Sequence, residues 1–229
     1  MLGRFLSIII SKIKGEQFVL DKNIPSGYLL VFVLNKLIEF IRGMLIFRKL
    51  SCSVFISTKC SFKCKSKIKL CGTVVFGRGV YIDALSEKGI TLENNVSVGK
   101  YTTIECSGSL KDIGKGLSVG ENVGMGTHGF WGCAGGISVG DDTIFGNYVS
   151  LHSENHNFKD LARPIRQQGI NRQGIKIGSD CWIGAKVTIL DGANIGNGCI
   201  IAAGSVVKSG FYEDNSIYGG VPAKLLKKR

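Results

Sequence analysis

An aliphatic residue returns at every sixth position near the end of the chain. The repeated residues are Ile177, Ile183, Ile189, Ile195, Ile201 and Val207. An amphipathic helix repeats its apolar face about every 3.6 residues and a half-buried strand about every 2, so neither element alone maintains a step of six. The register must therefore come from a larger repeating unit.

The same step can be followed upstream, with a slip of a few residues between runs. The further positions are Ile56, Phe62 and Ile68; Phe76 and Ile82; Leu92, Val98 and Ile104; Ile113, Val119, Met125 and Trp131; and Val139, Phe145 and Leu151. In the last run, small residues such as Cys181 and Cys199 stand four positions after the aliphatic residue, and a Gly or Ala often follows it directly. One large apolar residue, one small partner and a tight corner make a short flat face.

Three such faces make one turn of a triangular coil, and stacked turns lie one strand spacing apart, about 4.8 Å. The inward side chains then form columns, and the backbone hydrogen bonds run between turns. The sequence therefore predicts a mainly β fold, a parallel β-helix, with an N-terminal α-helical segment. In this fold Cys60, Cys181 and Cys199 are small core residues rather than redox groups.

The N-terminal third of the chain carries the basic excess. Residues 1–70 hold 13 Lys and Arg against 3 Asp and Glu, whereas the other 159 residues are nearly balanced, with 16 against 14. Residues 24–50 give the clearest helix signal, since Pro25 and Ser26 suit a helix start and apolar residues follow. We expect an N-terminal helical segment over residues 1–50 and a β-helix domain over residues 51–229 with a short basic tail.

Three charged residues, Lys36, Glu39 and Arg42, recur on one side of that helix. They argue against a transmembrane span, because each charge near the bilayer centre costs about 3 kcal/mol. Two interpretations of the helix stay open. It lies at a membrane interface with a preference for anionic lipids, or it packs on its own protein and closes an open end of the core.

Composition and spacing exclude several classes of protein. The eight cysteines form no CxxC pair and no Cys/His zinc motif, so we expect them to be reduced and without metal. The apolar run from Phe5 to Ile10 is shorter than a signal-peptide core and no cleavage site follows it. Because the basic excess lies outside the repeat region, we expect no nucleic-acid partner. The expected location is cytoplasmic, with peripheral contact at the inner face of the cytoplasmic membrane as an option.

In its motifs the chain resembles the hexapeptide-repeat acyltransferases, whose fold is a left-handed parallel β-helix. The resemblance covers about Phe76 to the end and rests on "IGSDCWIGAKVTILDGANIG", "IIAAGSVV", "GGVPAKLLKK" and the elements "HNF" and "RPI". The motifs are most similar to the branch that O-acetylates sugars or antibiotics with acetyl-CoA. The left hand is implied by the resemblance alone, because ordinary parallel crossovers are right-handed. Residues 1–50 resemble the membrane-associated extension of some polysaccharide O-acetyltransferases.

The longest break in the repeat is a polar loop over residues 152–174. A loop of this length on a regular scaffold usually carries function. Transfer of acetyl from a thioester to a sugar hydroxyl needs a base, and a neutral imidazole suits that task near pH 7. The resemblance implies that His156 is the general base. His152 is expected to orient the loop, to hydrogen-bond a carboxylate or to be an ordinary surface residue, and Glu154 is a candidate to orient His156. Both are also candidates for substrate binding.

The transition state also needs hydrogen-bond donors aimed at the thioester oxygen. Sugar acetyltransferases of the maltose and galactoside type place an Asn where this chain has Gly126, so His128 or backbone N–H groups of the same corner are the candidates. Arg163 and Arg166 are candidates to hold an acidic sugar, because guanidinium groups suit carboxylates.

The resemblance further implies an acetyl-CoA site that combines a slender groove with basic groups. The pantetheine arm is expected to pass Ala185 and Ala203, one turn apart, with Trp182 near the groove. Lys208 follows the column of these two alanines and is also expected at the coenzyme site. Lys224 and Lys227 match the basic residues that meet the nucleotide phosphates, with a solvated tail as the alternative for the lysines.

The expected function is acetyl-CoA-dependent O-acetylation of a cell-surface glycan or its precursor, by direct transfer and without a metal. By resemblance the active site lies between two subunits of a homotrimer. A sugar-amine N-acetyltransferase is the alternative within the same class. Outside that class, the same fold could form a zinc-dependent hydratase of the γ-carbonic-anhydrase type, with His128, His152 and His156 as ligands, or a structural β-helix without activity.

Overall fold

The fold is known from a computed structural model that describes residue 17, residues 19–48 and residues 52–229. The apolar run at residues 5–10 lies outside the described residues. The first element is a helix, α1 (Ser26–Phe47), which starts after Pro25 as the sequence predicts. Arg48 ends it in the left-handed conformation, with its N–H donating to the Met44 carbonyl at 2.8 Å. Short strands on three faces follow.

Face one carries two sheets. Gly124 connects them, because it forms one isolated β-bridge to Ser97 and one to Ile144. Its strands are β1 (Ser53–Ile56), β4 (Thr73–Phe76), β7 (Val96–Val98), β12 (Ile144–Phe145), β17 (Trp182–Ile183), β20 (Ile200–Ile201), β23 (Ser216–Gly219) and β24 (Lys224–Lys228). Face two is one sheet of β2 (Ser61–Lys63), β5 (Tyr81–Asp83), β8 (Thr103–Glu105), β10 (Phe130–Gly132), β13 (Ser150–His152), β18 (Thr188–Leu190) and β21 (Val206–Val207).

Face three is one sheet of β3 (Ile68–Leu70), β6 (Ile90–Leu92), β9 (Leu117–Val119), β11 (Ile137–Val139), β16 (Ile175–Ile177), β19 (Ala193–Ile195) and β22 (Gly210–Tyr212). Neighbouring strands on the three faces pair in parallel, and only β24 lies antiparallel, against β23. The predicted mainly β fold, a parallel β-helix with an N-terminal helix, is confirmed. It has about eight turns.

A small hairpin and two single-turn 3₁₀ helices complete the described structure. The hairpin pairs β14 (Asn155–His156) with β15 (Ile170–Asn171) in antiparallel register, and the 3₁₀ turns are Lys65–Lys67 and Ile165–Gln167.

The predicted inward positions are buried, with two exceptions: Phe62 and Ile113 are only half-buried. Two assignments of the repeat phase were wrong. Ile113 lies in a loop, and the column that contains Leu92 and Val119 passes through Leu70 rather than Ile68. The reason is that both ends of a three-residue strand on this face point inward, so the pattern alone does not distinguish Ile68 from Leu70.

Insertions leave the coil at one corner only. From face three to face one, and from face one to face two, successive inward residues lie six apart, as in Val139, Phe145 and Leu151. From face two to face three the interval varies, and it reaches 26 residues between Leu151 and Ile177. The loops at residues 107–113 and 152–174 therefore project from the same edge, which we call the loop corner.

The cysteines behave as core residues. Cys181 and Cys199 are buried, Cys60 is half-buried against the core, and all eight cysteines are free thiols. Burial raises the pKa of the Cys181 thiol to about 11. A thiol that stays protonated at pH 7 is a poor nucleophile, which agrees with a packing role.

Helix α1 closes the open end of the coil, as one of the two interpretations of this segment predicts. The ring of Phe47 packs on Phe62 and Phe76, with centroids 5.2 Å and 6.3 Å away. Arg42 donates to the Ile56 carbonyl at 2.6 Å. Gly43 is buried, and a Cβ at this position would lie 1.9 Å from the Val54 carbonyl oxygen. The helix thus reaches the backbone of β1 because position 43 has no side chain.

The outer side of α1 is apolar. Its exposed apolar residues include Leu30, Val31, Leu34, Leu37, Ile38, Ile41 and Leu45, and the polar Asn35 is exposed among them. The charged residues lie on the other side, where Lys36 pairs with Glu39 at 2.7 Å and lies 5.6 Å from the centroid of the Phe55 ring. No helix in the described part of the chain is long and apolar enough to span a bilayer.

Substitution of Gly43 by Ala should destabilise the protein. The new methyl group meets the Val54 carbonyl, and overpacking of this kind costs about 1–3 kcal/mol, more than the helix propensity that Ala adds. The free energy of unfolding from urea titration measures the effect. Gly27→Ala is the matched control, because nothing lies within 4 Å of a Cβ there. A gain of stability in both variants would contradict the proposed close contact.

Candidate functional site

His156 lies on the hairpin that projects from the loop corner. It pairs with Ile170 across the two strands, and its side chain is exposed. A cavity of about 610 Å³ opens beside it, lined among others by Phe158, Lys159 and Arg163. Its lining mixes polar and apolar groups and carries one carboxylate, Asp160, beside the two cations, so it suits a ligand with several hydrogen-bonding groups.

A buried carboxylate fixes both ends of the loop that carries His156. Asp191 is 2 % exposed and accepts hydrogen bonds from the backbone N–H groups of Gln173 and Gly174 at 2.9 Å and 2.7 Å. The Asn155 side chain also donates to it, at 3.3 Å. Because Asn155 directly precedes His156 and Gly174 ends the loop, Asp191 holds the base of the hairpin closed.

A second clamp joins the two loops of the loop corner. The half-buried Arg172 guanidinium donates to Glu154 at 3.1 Å and to Asp112 at 3.0 Å. It also donates to the carbonyl oxygens of Ile113 and Asp112. A guanidinium with several geometrically fixed partners orders the segments that supply them.

The arginine contacts change two of the sequence-based expectations. The Glu154 carboxylate is bonded to Arg172, so it does not orient His156 in the described structure. Arg163 lines the cavity beside His156, yet one of its N–H groups donates to the Gln167 carbonyl at 2.8 Å and stabilises the loop. Arg166 lies in the 3₁₀ turn and does not line that cavity.

His152 ends β13 at the loop corner, four residues before His156. Its ring lies 5.4 Å from the Phe130 ring. Partial burial lowers the pKa of the His152 imidazole below its usual value. The neutral form is therefore favoured, as expected for an imidazole that packs on an aromatic ring.

His128 and Gly126 lie at a different corner, between face one and face two. Both have a left-handed backbone, and the His128 ring lies between Tyr101 and Tyr148, with centroids 5.2 Å and 4.9 Å away. A Cβ at Gly126 would lie 2.2 Å from the Gly146 carbonyl oxygen, so an Asn has no room there. One whole face separates the two corners, and a single chain does not bring His128 and His156 together.

The expected coenzyme residues occupy face one and its edge with face two. Ala185 and Ala203 are exposed on neighbouring turns, and the buried Gly184 lets these turns pack closely, since a Cβ at Gly184 would lie 2.6 Å from the Ala203 nitrogen. Trp182 is 54 % exposed on the outer side of the same face. Side chains this small leave a flat surface on which a slender ligand can lie.

The antiparallel strand β24 adds exposed lysines to that face. The strand register aligns Trp182 with Ile200, then Ile217, then Lys227. Lys224 lies in the same strand. Lys208 instead follows β21 at the loop corner, across face two from the alanines, so the structure separates it from the other expected coenzyme contacts.

The three histidines do not form a metal site in a single chain. Within the described residues, no three His, Cys, Asp or Glu side chains are grouped so that they could hold a metal ion.

Sequence reasoning missed Asp191 and Arg172. The sequence held a signal for Asp191. This carboxylate interrupts the most regular run of the apolar repeat, and a Gly follows it directly. No local signal marked Arg172, whose partner Asp112 is 60 residues away in sequence.

Comparison with known proteins identifies the type of repeat. The profile of the family described as bacterial transferase hexapeptide (six repeats) matches residues 174–209. A probable acetyltransferase of Mycobacterium tuberculosis is 32% identical over 158 residues, which are 69% of this chain and 51% of that protein. A candidate lipopolysaccharide biosynthesis O-acetyl transferase of Escherichia coli, WbbJ, is 28% identical over 144 residues. They are 59% of this chain and 73% of that protein. This chain thus spans about half the length of the first relative.

A solved structure with the same fold is that of AntD, an N-acyltransferase from Bacillus cereus, as a variant in complex with coenzyme A and dTDP-4-amino-4,6-dideoxyglucose. The identity is 18% and the TM-score 0.52, over 80% of this chain and 86% of that one. The resemblance to the hexapeptide-repeat acyltransferases is confirmed.

Substitution of Asp191 by Ala should loosen the hairpin. Two backbone N–H groups lose their acceptor, and a buried unsatisfied donor costs about 1–3 kcal/mol. We expect lower stability in urea titration and amide exchange at residues 155–174 that is faster by at least about ten-fold. Asp141→Ala is the matched control, because that exposed carboxylate accepts from the Glu121 N–H far from the loop. Equal exchange in the two variants would refute the clamp.

Proposed function

Because the chain carries the hexapeptide repeat of bacterial transferases, we propose that it is an acetyl-CoA-dependent O-acetyltransferase acting on a sugar hydroxyl of a cell-surface polysaccharide or its precursor. The observation that carries the proposal is the exposed His156, held on a clamped hairpin beside a cavity of about 610 Å³. A structural β-helix without activity has no need of such a hairpin.

The names of similar proteins support this reaction class. Both curated relatives are named acetyltransferases, and the one from Escherichia coli is named for lipopolysaccharide O-acetylation. AntD shares the fold but is named an N-acyltransferase. A hydroxyl and an amine acceptor use the same base, so the acceptor assay must contain both.

The proposed mechanism is direct transfer in a ternary complex. The neutral His156 imidazole accepts the proton of the sugar hydroxyl as its oxygen attacks the thioester carbon. The new C–O bond forms, the C–S bond breaks, and the proton passes from the imidazolium to the leaving thiolate. Donors at the corner of His128 are proposed to bind the oxygen that becomes negative, and removal of one such donor typically costs about 10²–10³ in rate.

Acetyl-CoA is proposed to lie along the edge of face one. The small exposed side chains of Ala185 and Ala203 leave room for the pantetheine arm, and Trp182 offers an apolar contact beside it. Lys224 and Lys227 of β24 lie at the end of the same sheet and suit the nucleotide phosphates. The arrangement requires no metal.

A homotrimer is proposed because one chain leaves the site incomplete. His128 and His156 lie at different corners, and a neighbouring copy can place its His128 corner against the His156 hairpin. A rotational trimer repeats this contact three times. The exposed apolar residues Ile144 and Trp182 on face one provide area for such an interface.

Replacement of His156 by Ala should abolish transfer. Loss of a general base costs about 10²–10⁴ in kcat, whereas the stability should hardly change because the side chain is exposed. Thiol release from acetyl-CoA across a panel of sugars, sugar amines and oligosaccharides, with and without a chelator, measures the effect. Turnover unaffected by the substitution would contradict the mechanism, and loss of turnover with chelator would contradict transfer without a metal. Absence of acetyl-CoA binding would favour the zinc hydratase and the structural β-helix.

Mixing variants tests the shared site. His128→Ala and His156→Ala chains, each nearly inactive, are combined by co-expression and purified as hybrids. If each site takes one residue from each of two subunits, random assembly leaves about a quarter of the sites intact and restores activity to that level. Hybrids as inactive as the parents would contradict a site between subunits.

We also propose that the outer side of α1 lies on the inner face of the cytoplasmic membrane. Contiguous exposed apolar surface of this kind marks an interaction site, and seven large apolar residues of one helix contribute to it. The adjacent first turn of the coil exposes a cluster of cations. These are Lys59, Lys63, Lys65, Lys67 and Lys69. Anionic headgroups complement that charge.

The double substitution Leu34→Glu/Ile38→Glu should abolish binding to vesicles that contain phosphatidylglycerol. Both side chains are about half exposed on the apolar side, so the fold should survive. Co-sedimentation with anionic and with zwitterionic vesicles measures binding, and thiol release with a soluble acceptor should stay unchanged. If the variant alters only the oligomeric state by light scattering, the apolar side packs on a second copy and the membrane proposal is wrong.

A further inference from the structure

A second cavity lies on face three beside the loop corner and has no role in the site described above. Its volume is about 410 Å³, and its charged lining residues are Lys88, Lys115 and Lys176. We propose that it is a binding groove for an acidic glycan, whose sugar units carry carboxylate or phosphate groups, and that it leads the acceptor to His156. This inference rests on the proposed function, since it specifies the acceptor of that reaction.

The floor of the groove is made of residues without large side chains. Glycines at positions 116, 135, 136 and 174 line it, and a Cβ at Gly136 would meet the Lys115 side chain at 3.3 Å. The strand register aligns Thr91 with Ser118 and Ser138, one per turn, and these side chains point outward. A shallow floor with regularly spaced hydroxyl groups suits a flat, hydroxyl-rich chain better than a compact apolar ligand.

The three lysines form no ion pair with the described residues. No carboxylate in the described part of the chain lies within salt-bridge distance of their amines, although ion pairs occur elsewhere on the surface. Lys88 and Lys115 lie on adjacent turns, where the Lys88 N–H donates to the Lys115 carbonyl at 3.1 Å. Two lysines whose backbones lie on adjacent turns of one groove create a positive potential that attracts a polyanion.

The groove meets the base of the catalytic hairpin. Gln173 and Gly174 line it, and the backbone N–H groups of these two residues donate hydrogen bonds to Asp191. The groove extends from there toward the N-terminal turns, through Ser138 and Ser118 to Thr91. The proposed coenzyme surface lies on another face, with its lysines at the C-terminal end. The groove therefore approaches the hairpin from the side opposite to the coenzyme lysines, as an acceptor site should.

The test compares binding of three soluble tetramers to the full chain: tetragalacturonate, a glycerol-phosphate tetramer and the neutral maltotetraose. We expect binding of at least one anionic tetramer, weakened by salt, and at least ten-fold weaker binding of maltotetraose. Lys88→Ala/Lys115→Ala should weaken anionic binding at least ten-fold. Lys100→Ala/Lys111→Ala, which removes the same charge from exposed positions outside the groove, should stay within two-fold of the unchanged protein.

Three results would overturn the inference: no binding of either anionic tetramer, equal binding of maltotetraose, or equal weakening in both double variants. Comparison of the two anionic tetramers distinguishes carboxylate from phosphate as the recognised group. Thiol release with monosaccharide acceptors, measured on the same samples, separates the two proposals. Transfer without tetramer binding refutes the groove alone, whereas tetramer binding without transfer to any acceptor refutes the O-acetyltransferase.

Discussion

Parallel hydrogen bonding between successive turns sets the geometry on which the rest of the structure depends. Each residue of a face must find its partner directly above and below it, so every turn must supply strands of matching length and register. At two corners the chain meets this requirement with a fixed step of six residues. A seventh residue there would shift the next strand and turn its inward side chain outward. Extra residues are accommodated at the remaining corner alone.

This constraint places the candidate chemistry. Both long insertions project from the loop corner, so that residues 107–113 and 152–174 lie beside each other although the sequence separates them. Arg172 and Asp191 then order them, the first by ion pairs to Glu154 and Asp112 and the second by backbone hydrogen bonds. A buried carboxylate is tolerated at Asp191 because several donors satisfy it. A rigid coil with one variable edge can thus present an exposed imidazole in a defined position.

The ends of the coil need separate solutions, because an uncovered end exposes both core side chains and unpaired strand edges. At the start, α1 covers the core through Phe47, which packs on Phe62 of face two and Phe76 of face one. At the other end, β24 reverses direction and pairs with β23, which adds a basic strand to the sheet. The same elements that seal the coil carry the surfaces proposed for the membrane and for the coenzyme phosphates.

The sequence by itself determined the repeating unit, the three-faced coil, the helix start at Pro25 and the loop that carries His156. Those features arise from residues a few positions apart, and local periodicity records them. The tertiary structure decided the phase at Ile68 and Ile113, the partner of Glu154, the clamp at Asp191, the separation of His128 from His156 and the side of α1 that faces the solvent. The packing of Gly43 and Phe47 on the first turn decides the side of α1. The other features depend on how many residues separate one turn from the next. That number varies with the insertions at a single corner, and no local pattern encodes which residues they bring together.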